Sequence, residues 1–367
     1  IDEIRHAQTQ VHAMSNYNKF YNGFKDFANQ RDRIWYTSVP RSFFDDAMSA
    51  GPFEFLIAIG FSFEYVLTNL LFVPFMSGAA YNGDMATCTF GFSAQSDEAR
   101  HMTLGLECIK FMLEQDPDNI PIVQKWIDKW FWRGCRLLTL VAAMMDYMLP
   151  KRVMSWREAW NIYGVENGNA LFRDLARYGI KPPMHWDDVE KSIDHTSHQI
   201  MLGLYQWKFG TAFHSWTPTA SDIEWLKEKY PTTFEKYYLP RWEYAIAQKE
   251  AGGEYNNFGL PKLCQTCQLP CLFTEPDDPT QLAHRETEYE GEKYHFCSDG
   301  CQHVFEQEPE KYVQAWLPMP ALMQEPLKGD LAAWMEWVSL EPTAAGEYAN
   351  SEDKANFEKW RKQVSTD

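Results

Sequence analysis

Two copies of the pentad Asp-Glu-x-Arg-His, at residues 2 to 6 and 97 to 101, each place a carboxylate and an imidazole three residues apart. On a helix, positions i and i+3 leave one face about a turn apart, so Glu3 with His6, and Glu98 with His101, have the spacing to grip a metal ion. Glu-x-x-His alone is a weak signal, and a third copy runs from Glu292 to His295. The flanking residues carry more weight, because each further matched position lowers the chance expectation about twentyfold. A metal-bound histidine is usually oriented by a carboxylate on its other ring nitrogen. Asp2 and Asp97 are available for that role, with Arg5 and Arg100 to balance charge.

A carboxylate-bridged diiron centre in a four-helix bundle takes two further glutamates from the other two helices. Glu64 is the candidate for one of them. It lies in the most apolar stretch, residues 52 to 81, with no Arg or Lys between 55 and 75. An unpaired carboxylate there would cost several kcal/mol, and a metal partner offsets that. The last ligand, another Glu, is expected on a helix before residue 1, so the chain is expected to be an N-terminally truncated piece of a longer subunit.

A second metal pattern is Cys264-x-x-Cys267, 29 residues, then Cys297-x-x-x-Cys301, the two-knuckle form of a four-cysteine zinc site. Cys271, His295 and His303 stand in reserve. A structural zinc is expected, since small β modules need a staple. Redox iron is the alternative for four thiolates. Clustered cysteines of this kind point to a metal site in a reducing cytoplasm rather than a disulfide framework.

The elements that must carry these residues are mostly helices. Up to about residue 250 apolar residues recur at three and four, with breaks at 38–42, 77–84, 116–121, 149–152, 180–183 and 215–222. The apolar stretch from 52 to 81 has the composition of a membrane span, but Glu54, Glu64 and Asn69 interrupt it, which favours a helix buried in a soluble core. After 251–261 the text changes to short alternating pieces with turns. The expected division is a helical bundle over 1–255, a Cys-rich module over 256–320 and a tail over 321–367 without a functional account. A net charge of −17 argues against nucleic acid and anionic lipid as partners.

DEIRH, FEYVLTN and AQSDEARH, with DKWFWRG, DYMLPKRVMSW and EKYVQAWLP further on, resemble the hydroxylase α subunit of soluble bacterial multicomponent diiron monooxygenases, nearest the phenol hydroxylase and propane monooxygenase branches. YHFCSDGCQHVFEQEPEKY resembles the YHS metal-binding module. The resemblance implies a mainly α fold: a ferritin-like four-helix-bundle diiron core with extra helices, plus a small zinc-binding, β-containing module. It implies that Glu3, His6, Glu64, Glu98 and His101 are iron ligands and that Asp2 and Asp97 support the histidines. It places Thr68, Asn69 and Gln95 beside the oxygen-binding face, and Phe43 and Phe72 along the substrate pocket. The implied activity is hydroxylation of phenol or a related aromatic with dioxygen. A propane or short-alkane monooxygenase and a ferritin-like oxidase are the alternatives.

The implied cofactors are two iron ions and one zinc. The chain has neither a Gly-x-Gly-x-x-Gly fingerprint nor plant-type ferredoxin cysteine spacing, so electrons from NAD(P)H are expected through a separate reductase carrying FAD and a 2Fe-2S cluster. Implied partners are β and γ subunits in a dimer of heterotrimers and a small effector protein. Rivals are a bundle that has lost its metal, and a zinc-ribbon binding module on a helical scaffold.

Overall fold

In the computed structural model, residues 2–17, 38–149, 151–206, 217–251 and 262–314 are described. The 321–367 tail and the 256–261 and 315–320 edges of the expected cysteine module lie outside them. The described residues are mainly helical, with one small sheet. The chain forms two compact units. One gathers the residues up to Asn16 with Phe43–Ser197, and the other the remainder.

In the first unit the apolar stretch folds as one long helix. Its helices are α1 (Asp2–Tyr17, up to Asn16), the part of α2 (Ser38–Met48) from Phe43 on, α3 (Pro52–Asn82), α4 (Met85–Gln115) and α5 (Asn119–Ala143). They are followed by α6, continuous through Trp156–Ala159, Trp160–Glu166 and Asn167–Leu175, and by α7 (Trp186–Gln206), which runs on into the second unit. Helix α3 is apolar and long enough to cross a membrane, but 61% of its most apolar window is buried within the protein. It packs on α4 and α5. Two of its polar interruptions are answered by hydrogen bonds: the Glu54 carboxylate accepts from Lys129 Nζ at 3.1 Å and Trp130 Nε1 at 2.9 Å, and Asn69 accepts from Gln95.

Several expected breaks prove narrower than their text. The 77–84 segment stays helical to Asn82 and turns only at Gly83, whose φ of 82° suits glycine, before Asp84 caps α4 by accepting from Thr87 N. The 38–42 stretch opens α2, since proline is tolerated in a first helical turn.

The second unit includes the C-terminal part of α7, α8 (Ala220–Lys229) and α9 (Leu239–Glu250, led in by Phe234–Tyr238). Thr219 caps α8 through a capping box with Asp222. His198 is fully buried among the rings of Tyr230, Phe234 and Tyr238. Strands β1 (Arg285–Tyr289) and β2 (Glu292–Phe296) pair antiparallel around a two-residue turn in which Glu290 and Gly291 both have positive φ. Helices α10 (Asp299–Gln307) and α11 (Pro309–Tyr312) follow.

Candidate metal centre

Helices α1, α3 and α4 bring the first-unit carboxylates and histidines to one point. Ligand atoms of Glu3, Glu64, Glu98 and His101 all lie within 4.8 Å of one another. His101 Nδ1 is 3.1 Å from Glu98, 3.4 Å from Glu3 and 3.6 Å from Glu64. His6 joins the group through the same ring nitrogen, its Nδ1 lying 3.4 Å from Glu3 and 3.6 Å from Glu98. Both imidazoles thus turn Nδ1 inward and Nε2 outward.

The outward nitrogens reveal how the two pentads are joined. His6 Nε2 meets the buried Asp97 carboxylate at 2.9 Å, and His101 Nε2 faces Asp2 at 3.6 Å, so each pentad's aspartate serves the other pentad's histidine. The arginines cross in the same way. Arg5 donates to Asp97, while Arg100 donates to Asp2 at 2.9 Å and to Asp97 at 2.7 Å. The Arg100 hydrogen bond holds the Asp2 carboxyl below its ordinary range.

Without a cation the cluster is electrostatically frustrated. Burial first, then the Glu98 and Glu3 charges, push the Glu64 carboxyl up to about 8, and burial first, then Glu3, also raises Glu98. Glu64 Oε2 is buried without a hydrogen-bond partner. Three carboxylates and two imidazole nitrogens brought together, with one buried carboxylate oxygen left unpartnered, fit hard or borderline divalent cations such as iron.

Local backbone geometry makes this convergence possible. Residues Ile57–Thr68, which carry Glu64, form a π-helix, a widened form of helix often found at functional sites. The Thr68 hydroxyl donates to Phe63 O at 2.9 Å, following the same i−5 spacing. One turn before Glu64 and one turn after His101, α3 and α4 touch backbone to backbone: a Cβ on Gly105 would sit 2.4 Å from the Gly60 carbonyl carbon. Gly105→Ala is therefore expected to push the helices apart, destabilising the protein by about 1–3 kcal/mol and lowering retained iron. Denaturant unfolding and an iron assay on the same preparation check this; wild-type values for both would refute it.

The remaining expected site residues fall in two places. Gln95 Nε2 donates to Asn69 Oδ1 at 3.1 Å, so this pair is brought together one turn from Glu98 and Glu64, and Thr68 is buried beside it in sequence. Phe43 is instead packed into an aromatic core of Phe44, Phe63 and Trp130, with ring centroids 5.1 to 5.6 Å apart. Phe72 is half-buried.

In the second unit, Cys264, Cys267, Cys297 and Cys301 form one fully buried group. The Cys297 and Cys301 sulfurs are 3.5 Å apart, and those of Cys267 and Cys297 3.7 Å, so these are free thiols rather than disulfides. Four sulfurs at tetrahedral zinc bonds of about 2.3 Å lie about 3.8 Å apart. Burial, followed by hydrogen bonds from neighbouring cysteines, raises the Cys267 and Cys297 thiols well above the usual range. A cation would reverse that by stabilising the thiolates.

Cys271 lies outside the four, and His303 is half-buried on α10. The third Glu-x-x-His, Glu292 to His295, falls on β2, where positions i and i+3 face opposite sides of the sheet. His295 pairs instead with His284 and Glu286, a grouping that linear spacing gave no reason to suspect. Strand register is the only signal that would have found it.

Residues 1–116 match the Methane/Phenol/Alkene Hydroxylase family model, and residues 273–316 match the YHS domain. The chain is 63% identical to the oxygenase component of phenol 2-monooxygenase from Pseudomonas sp. (strain CF600), over 90% of this chain and 64% of that protein. It is 26% identical to the hydroxylase large subunit of propane 2-monooxygenase from Gordonia sp. (strain TY-5), over 93% of this chain and 63% of that protein. The chain thus spans a little under two thirds of the length of these relatives. Among solved structures, xenon-pressurised phenol hydroxylase from Pseudomonas sp. OX1 superposes with a TM-score of 0.89 at 60% identity, over 97% of this chain and 73% of that one.

Proposed function

This chain belongs to the methane/phenol/alkene hydroxylase family, and on that premise we propose that it is the catalytic α subunit of a multicomponent diiron monooxygenase hydroxylating phenol or a closely related aromatic. The single observation that carries the reading is the convergence of the buried Glu64, Glu98 and His6 with the half-buried His101 and the exposed Glu3. Glu3, His6, Glu64, Glu98 and His101 would hold two iron ions, which would supply the activation of dioxygen for transfer of one oxygen atom to substrate.

The chain's own residues hold and tune that site. His6 and His101 offer Nδ1 as ligands: the Asp97 carboxylate meets His6 Nε2 at 2.9 Å, which fixes that tautomer and raises ligand basicity, and Asp2 faces His101 Nε2 at 3.6 Å. Arg100 holds Asp2 in its charged form, and Arg5 and Arg100 both donate to Asp97. Glu3, Glu64 and Glu98 supply the carboxylates that neutralise the metal charge. Thr68, Asn69 and Gln95 form the polar edge of the site; the Thr68 hydroxyl proton is committed to Phe63 O, which leaves its oxygen able to accept a hydrogen bond. Phe43 supports the pocket wall from the core, and Phe72 lines it.

The four-cysteine module takes one structural zinc. Electrons come from NAD(P)H through a separate reductase bearing FAD and a 2Fe-2S cluster. The α subunit works with β and γ subunits as a dimer of heterotrimers and with a small effector protein. The domain reading is a 1–255 bundle, a 256–320 module and a 321–367 tail.

Phenol is favoured over propane because the phenol relative is 63% identical and the propane relative 26%. The test is turnover of the reconstituted hydroxylase, reductase and effector on phenol and propane in parallel with labelled dioxygen. Labelled catechol from phenol is expected. Propanol without any phenol product would overturn the substrate, and no oxygenated product from either would overturn the monooxygenase reading.

A further inference from the structure

The β-hairpin of the second unit carries a convergence of ligands that the four-cysteine cluster does not use. His284 Nε2 lies 3.0 Å from His295 Nδ1, and Glu286 Oε1 lies 3.2 Å from that same Nδ1 and 4.0 Å from His284 Nε2. Register explains the grouping. Glu286 stands directly opposite His295, and His284, two residues before Glu286, projects from the same face. The backbone of this platform is fixed, because His295 O accepts from Gln265 N at 2.9 Å, next to Cys264. The carboxylate is oriented too: Lys293 Nζ takes Glu286 Oε2 at 2.9 Å and leaves Oε1 turned to the imidazoles.

We propose that His284, Glu286 and His295 form a second cation site on this hairpin, separate from the four cysteines, that binds a divalent transition metal of the zinc class through two imidazoles and one carboxylate. Donor atoms around tetrahedral zinc, with bonds of about 2.0–2.1 Å, lie about 3.3 Å apart, and the three separations here bracket that value. A hydrogen-bonded histidine pair accounts for one contact. It does not account for a carboxylate oxygen aimed at the same nitrogen and within reach of the other. Both histidines are half-buried and Glu286 is exposed, so a cation reaches the site from solvent. Three protein ligands leave a fourth position open for water or an incoming group, in contrast to the closed four-thiolate site. This inference stands whether or not the monooxygenase reading does.

The experiment is equilibrium dialysis of the iron-loaded hydroxylase against micromolar Zn²⁺, with zinc counted per chain by elemental analysis. The wild type is compared with His284→Gln and Glu286→Gln, both of which leave the iron and cysteine ligands intact. Each variant is expected to hold one zinc fewer than the wild type and to bind the lost equivalent at least about tenfold more weakly. An equal zinc count in wild type and both variants would overturn the site. Should His284→Gln shed the cysteine-bound zinc as well, the Glu286→Gln count decides, because that side chain is exposed and its replacement keeps the same shape.

Discussion

Glu64→Gln is expected to reduce hydroxylation by more than about 100-fold and to lower retained iron, while leaving the metal-free protein folded and, near neutral pH, more stable than the wild type. Removing a group that merely supports a metal ligand costs about 10–100-fold, and Glu64 is proposed as a ligand itself. The stability gain follows from the carboxyl being pushed up from 4.5 to about 8 by burial and by Glu98 and Glu3. For a carboxyl whose folded-state value is raised, the stabilising contribution is complete below about pH 4.5. It declines as pH rises and is gone above about pH 8.

The metal-free wild type should therefore lose stability across that window, with Glu98 adding in the same direction. The glutamine variant carries no charge at this position and should lose less. Iron should suppress the decline in the wild type, because the cation takes the place of the proton. Thermal unfolding of metal-free and iron-loaded protein at several pH values, beside iron content and product formation, tests all three points. Wild-type iron and turnover in the variant would mean that Glu64 is a core carboxylate with no part in the chemistry.

Stripping the metal from the four-cysteine group, or replacing a ligand by Cys297→Ala, is expected to unfold the hairpin module. Structural zinc sites of this kind contribute about 10–16 kcal/mol of apparent binding free energy, which becomes folding free energy when no preformed site exists. Among its described residues the regular structure is small: a two-stranded sheet, α10 and α11, with an aromatic cluster of Tyr294, Phe296 and Phe305. Hydrogen exchange should show β1, β2 and α10 losing protection on chelation. Protection unchanged after verified zinc loss would refute a structural role. A change in electron transfer without any loss of protection would favour the redox iron alternative.

Much of this was legible in the chain because its strongest signals are local. Helical spacing needs only three residues to place Glu3 beside His6 or Glu98 beside His101, and the cysteine knuckles are as short. The apolar surroundings of Glu64, without Arg or Lys nearby in sequence, marked it as an ionisable group in need of a partner, and the structure places its carboxylate against Glu98, Glu3 and His101. Phe43 was less legible. An aromatic residue in apolar text reads the same whether it lines a pocket or fills a core, and only its contacts with Phe44, Phe63 and Trp130 show that it is packed in a core.

The residue order by itself therefore determined the helical character, the two Asp-Glu-x-Arg-His pentads and the two cysteine knuckles, since each depends on short local spacings. Three things were decided only by tertiary structure. Asp97 serves His6 while Asp2 faces His101, a crossed arrangement that linear order does not suggest. Gly60 and Gly105 let two helix backbones meet, which sets how closely Glu64 approaches Glu98. His284, Glu286 and His295 converge because antiparallel register lays positions from two strands side by side. In each case the reason is the same: local spacing fixes which face a side chain leaves, and only packing between elements fixes what it meets there.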